Sequence, residues 1–475
     1  MSTTTNTTTV LAGVGAAAFL LACSGTPICE TRINDPECGL TVTKADNSKL
    51  FIYPDSTKKI QVMIKGRLDN EEVQVELVSM SAPAAAAPRR VYTLAGTTQF
   101  PAGLIYNIEI KTTDLNGLDP GDYALRFQGK TGRSPAILPN VSLRKRLAYK
   151  PPTAIAYPFA EDAQPIVEQL GFVGNSVLCF SSGTDTSGTV PLKKIRVYSY
   201  GVPAGSLDEL PGKGYFANFF PKETLAAFSK SDVYLLTPLL TNLPLRRCAG
   251  AMPASVADCP LVDKDSKVAI EANKALVVTA DGGRVARADP SGSLWQAATQ
   301  APLKWEALMT TAMVAKAGTV KMASGDLNSD GKEDLVAIWR EGGQQQVRVF
   351  LGADAGFGED QAWSKMLQDG LGSKLVTALA VGDVDADGSA DVVVGAGLEL
   401  AIVQNQQDRF VMAWMQKLDP SSEITGIAAV AVGRLTGDDR SQSLDIVAAG
   451  NTPYDGAVPP AVPMSKLYLH ALRPQ

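Results

Sequence analysis

Two nine-residue stretches share one pattern, and they limit the possible fold more than any other feature of the chain. The first is Asp326-Leu327-Asn328-Ser329-Asp330-Gly331-Lys332-Glu333-Asp334, the second Asp383-Val384-Asp385-Ala386-Asp387-Gly388-Ser389-Ala390-Asp391. Both read D-x-[ND]-x-D-G-x-x-D, and they begin 57 residues apart (383 − 326). Oxygen-bearing side chains stand at positions 1, 3, 5 and 9, with Gly at position 6. Alternate residues of a tight loop can aim their oxygens at one centre, and a hard cation such as Ca²⁺ needs several oxygen ligands at once. Gly permits the sharp turn. Position 7, Lys332 or Ser389, offers only its backbone carbonyl. Without a cation, such carboxylates repel one another or take raised pKa values. The expected ligands are therefore Asp326, Asn328, Asp330, the Lys332 carbonyl and Asp334 in one loop. In the other they are Asp383, Asp385, Asp387, the Ser389 carbonyl and Asp391. The plain alternative is a pair of solvated acidic turns that bind nothing.

The flanks choose the setting. Each loop follows Gly-Asp after a short run such as Ala378-Leu379-Ala380-Val381, and each precedes a β-rich run, Leu335-Val336-Ala337-Ile338-Trp339 or Val392-Val393-Val394. A second β run comes next, Val347–Gly352 or Leu400–Val403. This is strand, loop, strand, and not the helix-loop-helix of an EF-hand. The residues resemble the FG-GAP or VCBS repeats of integrin-α-like β-propellers, and Phe350-Leu351-Gly352-Ala353-Asp354-Ala355-Gly356-Phe357-Gly358 looks like that family's later blade strands. The resemblance implies Ca²⁺ held in hairpin loops of propeller blades.

A third copy is degenerate. Val432-Gly433-Arg434-Leu435-Thr436-Gly437-Asp438-Asp439 precedes Leu444-Asp445-Ile446-Val447, with Arg434 where the first Asp should stand. A blade without a cation is expected there. Further β runs without the Asp loop recur from 153, including Val177–Phe180, Ile195–Tyr200, Val233–Leu236 and Ala275–Thr279, and Leu467–Leu472 ends the series. Counted with the Asp-loop units they predict a six- or seven-bladed propeller over 153–475, within the usual range of about four to eight blades. Such a ring often closes by pairing strands from its two chain ends. All five Trp lie in this region, where inter-blade packing accounts for most of them.

Between about 40 and 148, short runs alternate with period two, as in Ile60–Ile64, Val73–Leu77, Ile105–Ile110 and Tyr123–Phe127. That rhythm predicts a β-sandwich, assigned to 44–149. Asp119-Pro120-Gly121-Asp122-Tyr123 resembles the D-x-G-x-Y tyrosine corner of immunoglobulin-like domains. The resemblance implies a Tyr123 hydroxyl bonded back to backbone. Lys150-Pro151-Pro152 is read as a stiff linker between the domains. The fold expected is thus all-β: an N-terminal Ig-like sandwich, then a propeller with calcium-loop hairpins.

Residues 1–22 read as a signal peptide. The apolar core, about 13 residues, is too short to span a bilayer. It ends Leu20-Leu21-Ala22-Cys23, which resembles the lipobox of bacterial lipoproteins, although no Lys or Arg lies before it. The resemblance implies lipid on Cys23, a tether over 23–43 and, with Ser24 following, the outer membrane. An exported chain meets an oxidising compartment. Cys29–Cys38 and Cys248–Cys259 are the simplest disulfides, leaving Cys179 in an apolar strand as a buried free thiol.

Function narrows by subtraction. A net charge of −5 argues against nucleic acid as a partner. The single His, His470, removes mechanisms that need two, and no G-x-S-x-G, P-loop or Rossmann fingerprint appears. The expected role is a lipid-anchored envelope or surface protein, not an enzyme, that binds a protein or glycan. A carbohydrate-active enzyme using two carboxylates is the alternative.

Overall fold

The computed structural model describes residues from Leu40 to Leu472, apart from intervening segments that include 95–103, 210–224, 264–274, 310–319, 436–443 and 452–466. The expected signal peptide, the expected Cys23 anchor, the Cys29–Cys38 pair and residues 23–39 of the expected tether lie outside the described residues, whereas the end of the stretch read as tether is a strand, Thr41–Lys44, so the sandwich begins before residue 44. The chain divides into two compact units, Met1–Arg146 and Leu147–Gln475.

In the first unit the alternating runs form the strands they suggest. Along Lys58–Lys65, Ile60, Val62 and Ile64 turn inward while Lys59, Gln61, Met63 and Lys65 face out. That strand lies between Thr41–Lys44 and Leu104–Ile110 in a three-stranded sheet. A five-stranded sheet runs Leu50–Ile52, Ala136–Leu143, Gly121–Gln128, Val73–Ser79, Arg89–Leu94. Ile60, Ile108 and Ile110 from one sheet and Ile52, Val75, Leu125 and Phe127 from the other share one buried core. Two layers around one core make a β-sandwich. The Tyr123 hydroxyl donates to the Asp119 carbonyl at 2.6 Å, the bond the D-x-G-x-Y pattern implies.

The second unit holds six antiparallel sheets among the described residues. In chain order they occupy 162–209, 225–249, 275–309, 321–360 and 378–417. The sixth joins Gly426–Gly433, Asp445–Asn451 and Leu467–Leu472 to Thr153–Ala156, the earliest strand of the unit. The first strand of each sheet packs on the first strand of the next, and the circuit closes from Gly426–Gly433 back to Asp162–Val173. A cavity of about 770 Å³ runs between these six strands. This is the architecture of a β-propeller. Thr153 pairs with Ala471 and Ala156 with Tyr468, so the two ends of the unit meet in one sheet, as the edge argument expects.

Neighbouring sheets approach closely where each first strand ends. A Cβ on Gly382 would lie 2.9 Å from Val432 Cγ1, and one on Gly433 would lie 2.3 Å from the Phe172 ring. The Gly that precedes each loop is therefore a packing requirement between sheets.

Three findings depart from expectation or sharpen it. The helix Gln361–Leu371 interrupts a chain read as wholly β. Asp360 caps it by accepting from the Ala362 and Trp363 N–H groups, and Leu367 and Leu371 are buried. Second, the unit boundary falls at 146/147 and not at 149. Tyr149 is buried in the second unit, its ring 5.2 Å from that of Trp414. Lys150-Pro151-Pro152 thus follows the first packed residues of the second unit instead of linking two domains. Third, Cys248 and Cys259 are joined, and Cys179 is a buried free thiol.

Candidate metal centre

Each nine-residue loop connects the first strand of a sheet to the second: Lys321–Gly325 to Asp334–Glu341, and Ala378–Gly382 to Asp391–Ala396. The two loops share one set of internal hydrogen bonds. Position 1 accepts from the backbone N–H groups of positions 5 and 6: Asp326 from Asp330 (3.1 Å) and Gly331 (2.9 Å), Asp383 from Asp387 (3.0 Å) and Gly388 (2.9 Å). Position 3 accepts from position 5, and position 5 accepts from the N–H of position 7, Lys332 or Ser389. Position 9 accepts from the N–H of position 2, Leu327 to Asp334 at 2.8 Å and Val384 to Asp391 at 3.1 Å. The pattern of Asp and Gly thus winds the backbone before any ligand is considered. Gly331 and Gly388 have φ of 85° and 92°, the left-handed turn foreseen at position 6. Position 4 is left-handed too, at Ser329 (61°) and Ala386 (60°), which the pattern does not announce.

The loops differ in what they gather. In the second, Asp383, Asp385 and Asp391 bring carboxylate oxygens within 4.8 Å of one another. Asp385, Asp387 and Asp391 are buried. Burial, then the charges of Asp385, Asp387 and Asp383, drive the Asp391 carboxyl well above the usual range, against the Asn405 N–H that holds it down. In the first loop no three acidic groups converge in this way. Asn328 replaces one carboxylate there, and its side-chain amide donates to Asp330 at 3.0 Å. Asp334 is fully buried, and burial pushes its pKa up to about 6 despite N–H bonds from Gly352, Leu327 and Asn328. The third copy has the closing bond, Leu435 N–H to Asp445 at 2.8 Å, with Arg434 at position 1, and residues 436–443 of its loop lie outside the described residues.

Sequence reasoning missed the support behind the second loop. Gln404, Asn405 and Gln406 are buried at the end of the strand Glu399–Asn405. Gln404 Nε2 donates to Asp385 at 2.6 Å, and Asn405 N–H donates to Asp391 at 2.8 Å. Gln406 Nε2 donates to Gln404 Oε1 at 3.2 Å. The available signal was a run of amides directly after Leu400-Ala401-Ile402-Val403, where a hairpin end would ordinarily be solvated. A network of this kind fixes the carboxylates it touches. Carboxylates that converge through oxygen alone suit a hard cation and not a soft one.

Comparison with known proteins agrees with the repeat reading. Residues 326–394 match the model of the FG-GAP-like repeat family. No curated protein matches the chain in sequence. Among solved structures, the Dos1 propeller is 9% identical with a TM-score of 0.33, covering 64% of this chain and 69% of that one. A DUF4784 family protein from Bacteroides caccae is 8% identical with a TM-score of 0.30, covering 79% and 97%. A subtype N11 neuraminidase-like protein of a flat-faced bat influenza virus is 10% identical with a TM-score of 0.36, covering 69% and 94%.

Proposed function

We propose that this chain is a lipid-anchored binding protein of a bacterial envelope, held at the outer membrane through Cys23. Its sandwich is an Ig-like spacer, and its second unit is a six-bladed propeller stiffened by Ca²⁺ that recognises a protein or glycan. The observation that carries the reading is the convergence of Asp383, Asp385 and Asp391 inside an FG-GAP-like repeat. Asp383, Asp385, Asp387, the Ser389 carbonyl and Asp391 would hold one ion. Asp326, Asn328, Asp330, the Lys332 carbonyl and Asp334 would hold a second with one carboxylate fewer. Mg²⁺ competes poorly, because it demands a tighter octahedral shell and gives up water reluctantly.

Calorimetric titration of the purified protein with Ca²⁺ tests the ion. At ten times Kd, one site adds about 1.4 kcal/mol to folded-state stability by mass action. The melting transition of the second unit should rise with Ca²⁺ and that of the sandwich should not. If millimolar Ca²⁺ neither binds nor shifts the transition, the loops are ordinary acidic turns. Pull-down from native envelope with and without chelator, read beside a glycan array, tests the role. A partner or glycan retained only with Ca²⁺ supports it. A hydrolytic activity abolished by replacing a carboxylate pair would overturn it in favour of an enzyme.

A further inference from the structure

The two loops belong to different sheets, yet they touch at several points. Ala390 N–H donates to the Asp326 carbonyl at 2.7 Å. Ser329 Oγ donates to the Gly388 carbonyl at 3.0 Å and lies 2.7 Å from Ser389 Oγ. Asn405 Nδ2 donates to the Leu327 carbonyl at 2.7 Å and to the Ala390 carbonyl at 3.2 Å. Asn405 is fully buried, and its own N–H holds Asp391. Leu327 in turn uses its N–H to hold Asp334. One unbroken path therefore runs from Asp391 through Asn405 and Leu327 to Asp334, joining the closing carboxylate of one loop to that of the other.

The equivalent position in the first repeat explains why no matching brace runs from the first repeat to its neighbour, although the coupling itself acts equally in both senses. Gly352 supplies the N–H that holds Asp334, as Asn405 supplies the one that holds Asp391. A Cβ on Gly352 would lie 2.3 Å from the Glu333 carbonyl oxygen, so no side chain fits there. The first loop is thus braced by a side chain from the second repeat. Gly352 offers no side chain with which to brace a neighbour in the same way.

We infer that the two loops form one coupled cation-binding unit in which Asn405 is the coupling residue, so that filling the second loop prepares the first. This rests on the calcium reading above. Ordering Asp391 on an ion fixes Asn405, and a fixed Asn405 fixes the Leu327 peptide that closes the first loop. The entropy of ordering the first loop is then partly met before its own ion arrives, which is positive cooperativity.

The test uses the full chain and Ca²⁺ alone, with binding followed by calorimetry and backbone ordering by hydrogen exchange. Asp383→Ala should remove the ion of the second loop and also weaken the first by about tenfold, a typical coupling. In Asn405→Ala, which keeps the N–H to Asp391, adding Asp383→Ala should change the affinity of the first loop by much less than in wild type, the remainder passing through Ser329 and Ala390. Ser329→Ala, a milder cut at the surface, should reduce the coupling in part, and it serves if Asn405→Ala fails to fold. With Asn405 intact, Ca²⁺ at the second loop should slow exchange across 326–331 even when Asp330→Ala has disabled the first. Two sites that bind independently in wild type, or a single ion confined to the second loop without slowed exchange at 326–331, overturn the coupling alone. Absence of any binding overturns the calcium reading with it.

Discussion

Gly426 and Gly433 begin and end the same strand, yet they should respond to the same substitution with opposite sign. A Cβ on Gly433 would stand 2.3 Å from Phe172 Cγ, with Cδ1 and Cδ2 at 2.6 and 2.7 Å. These atoms form the base of the ring, so the whole ring must move, and Phe172 packs against the core cluster that joins the first and sixth sheets. Overpacking of this kind costs about 1–3 kcal/mol. Among the described residues, a Cβ on Gly426 meets only the Gly397 carbonyl oxygen, at 3.9 Å. There, loss of backbone freedom in the unfolded chain is the main effect, and it stabilises by about 0.4–1 kcal/mol. Gly433→Ala should therefore lower the Tm of the second unit and Gly426→Ala should hold or raise it. The scale is about 2–4 °C per kcal/mol in domains of 150–250 residues and less in a larger one. Thermal melts of the two single variants, measured with and without Ca²⁺, provide the readout. If Gly433→Ala is as harmless as Gly426→Ala, the sheets have slack at the loop end and close approach is not what selects glycine.

Tyr123→Phe removes the bond to the Asp119 carbonyl and should cost the sandwich about 1 kcal/mol, leaving the second transition in place by calorimetry. Replacing Cys248 and Cys259 together with Ser opens a link of sequence separation 11 and should cost about 2–3 kcal/mol on the chain-entropy account, visible as a lower urea midpoint for the second unit. Asp334 gives a pH signature. Burial raises its folded pKa to about 6, above the ordinary 3.8, so the folded state binds this proton more tightly than the unfolded state. Its contribution is complete below the lower value and is lost as pH rises through about 6. Asp391 acts in the same direction. In calcium-depleted buffer the wild type should therefore gain stability on acidification across that window relative to Asp334→Asn, and identical profiles would reject the assignment.

The parts of the structure legible in the sequence are those written locally. The Asp loops, the turn at Gly331 and Gly388, the strands on either side and the tyrosine corner all depend on residues a few positions apart. What escaped depends on distant partners. Gly382 and Gly433 look like ordinary turn residues until Val432 and Phe172 are seen against them. Gln404 and Asn405 look like a solvated hairpin end until Asp385 is seen against the first and the Leu327 carbonyl against the second. The helix Gln361–Leu371 was masked by the preceding Phe357-Gly358, which pointed to continued strand. Its start is local all the same, because Asp360 caps it. Each loop is expected to hold an ion because the patterns match, with three Asp in the first and four in the second, yet only the second brings three carboxylates together.

The strand Thr153–Ala156 finds its partner, Leu467–Leu472, at the far end of the second unit. In synthesis from the N-terminus, the piece of this unit made first is therefore the last to be paired. Until Leu472 emerges, one edge of Asp445–Asn451 and the whole of Thr153–Ala156 have unmet N–H and C=O groups, and an exposed edge is a template for pairing with another chain. A contact of such long sequence separation is also slow to form. Whatever escorts the nascent chain must shield those two segments longest, and a chain shortened by its last strand would leave both of them open at once.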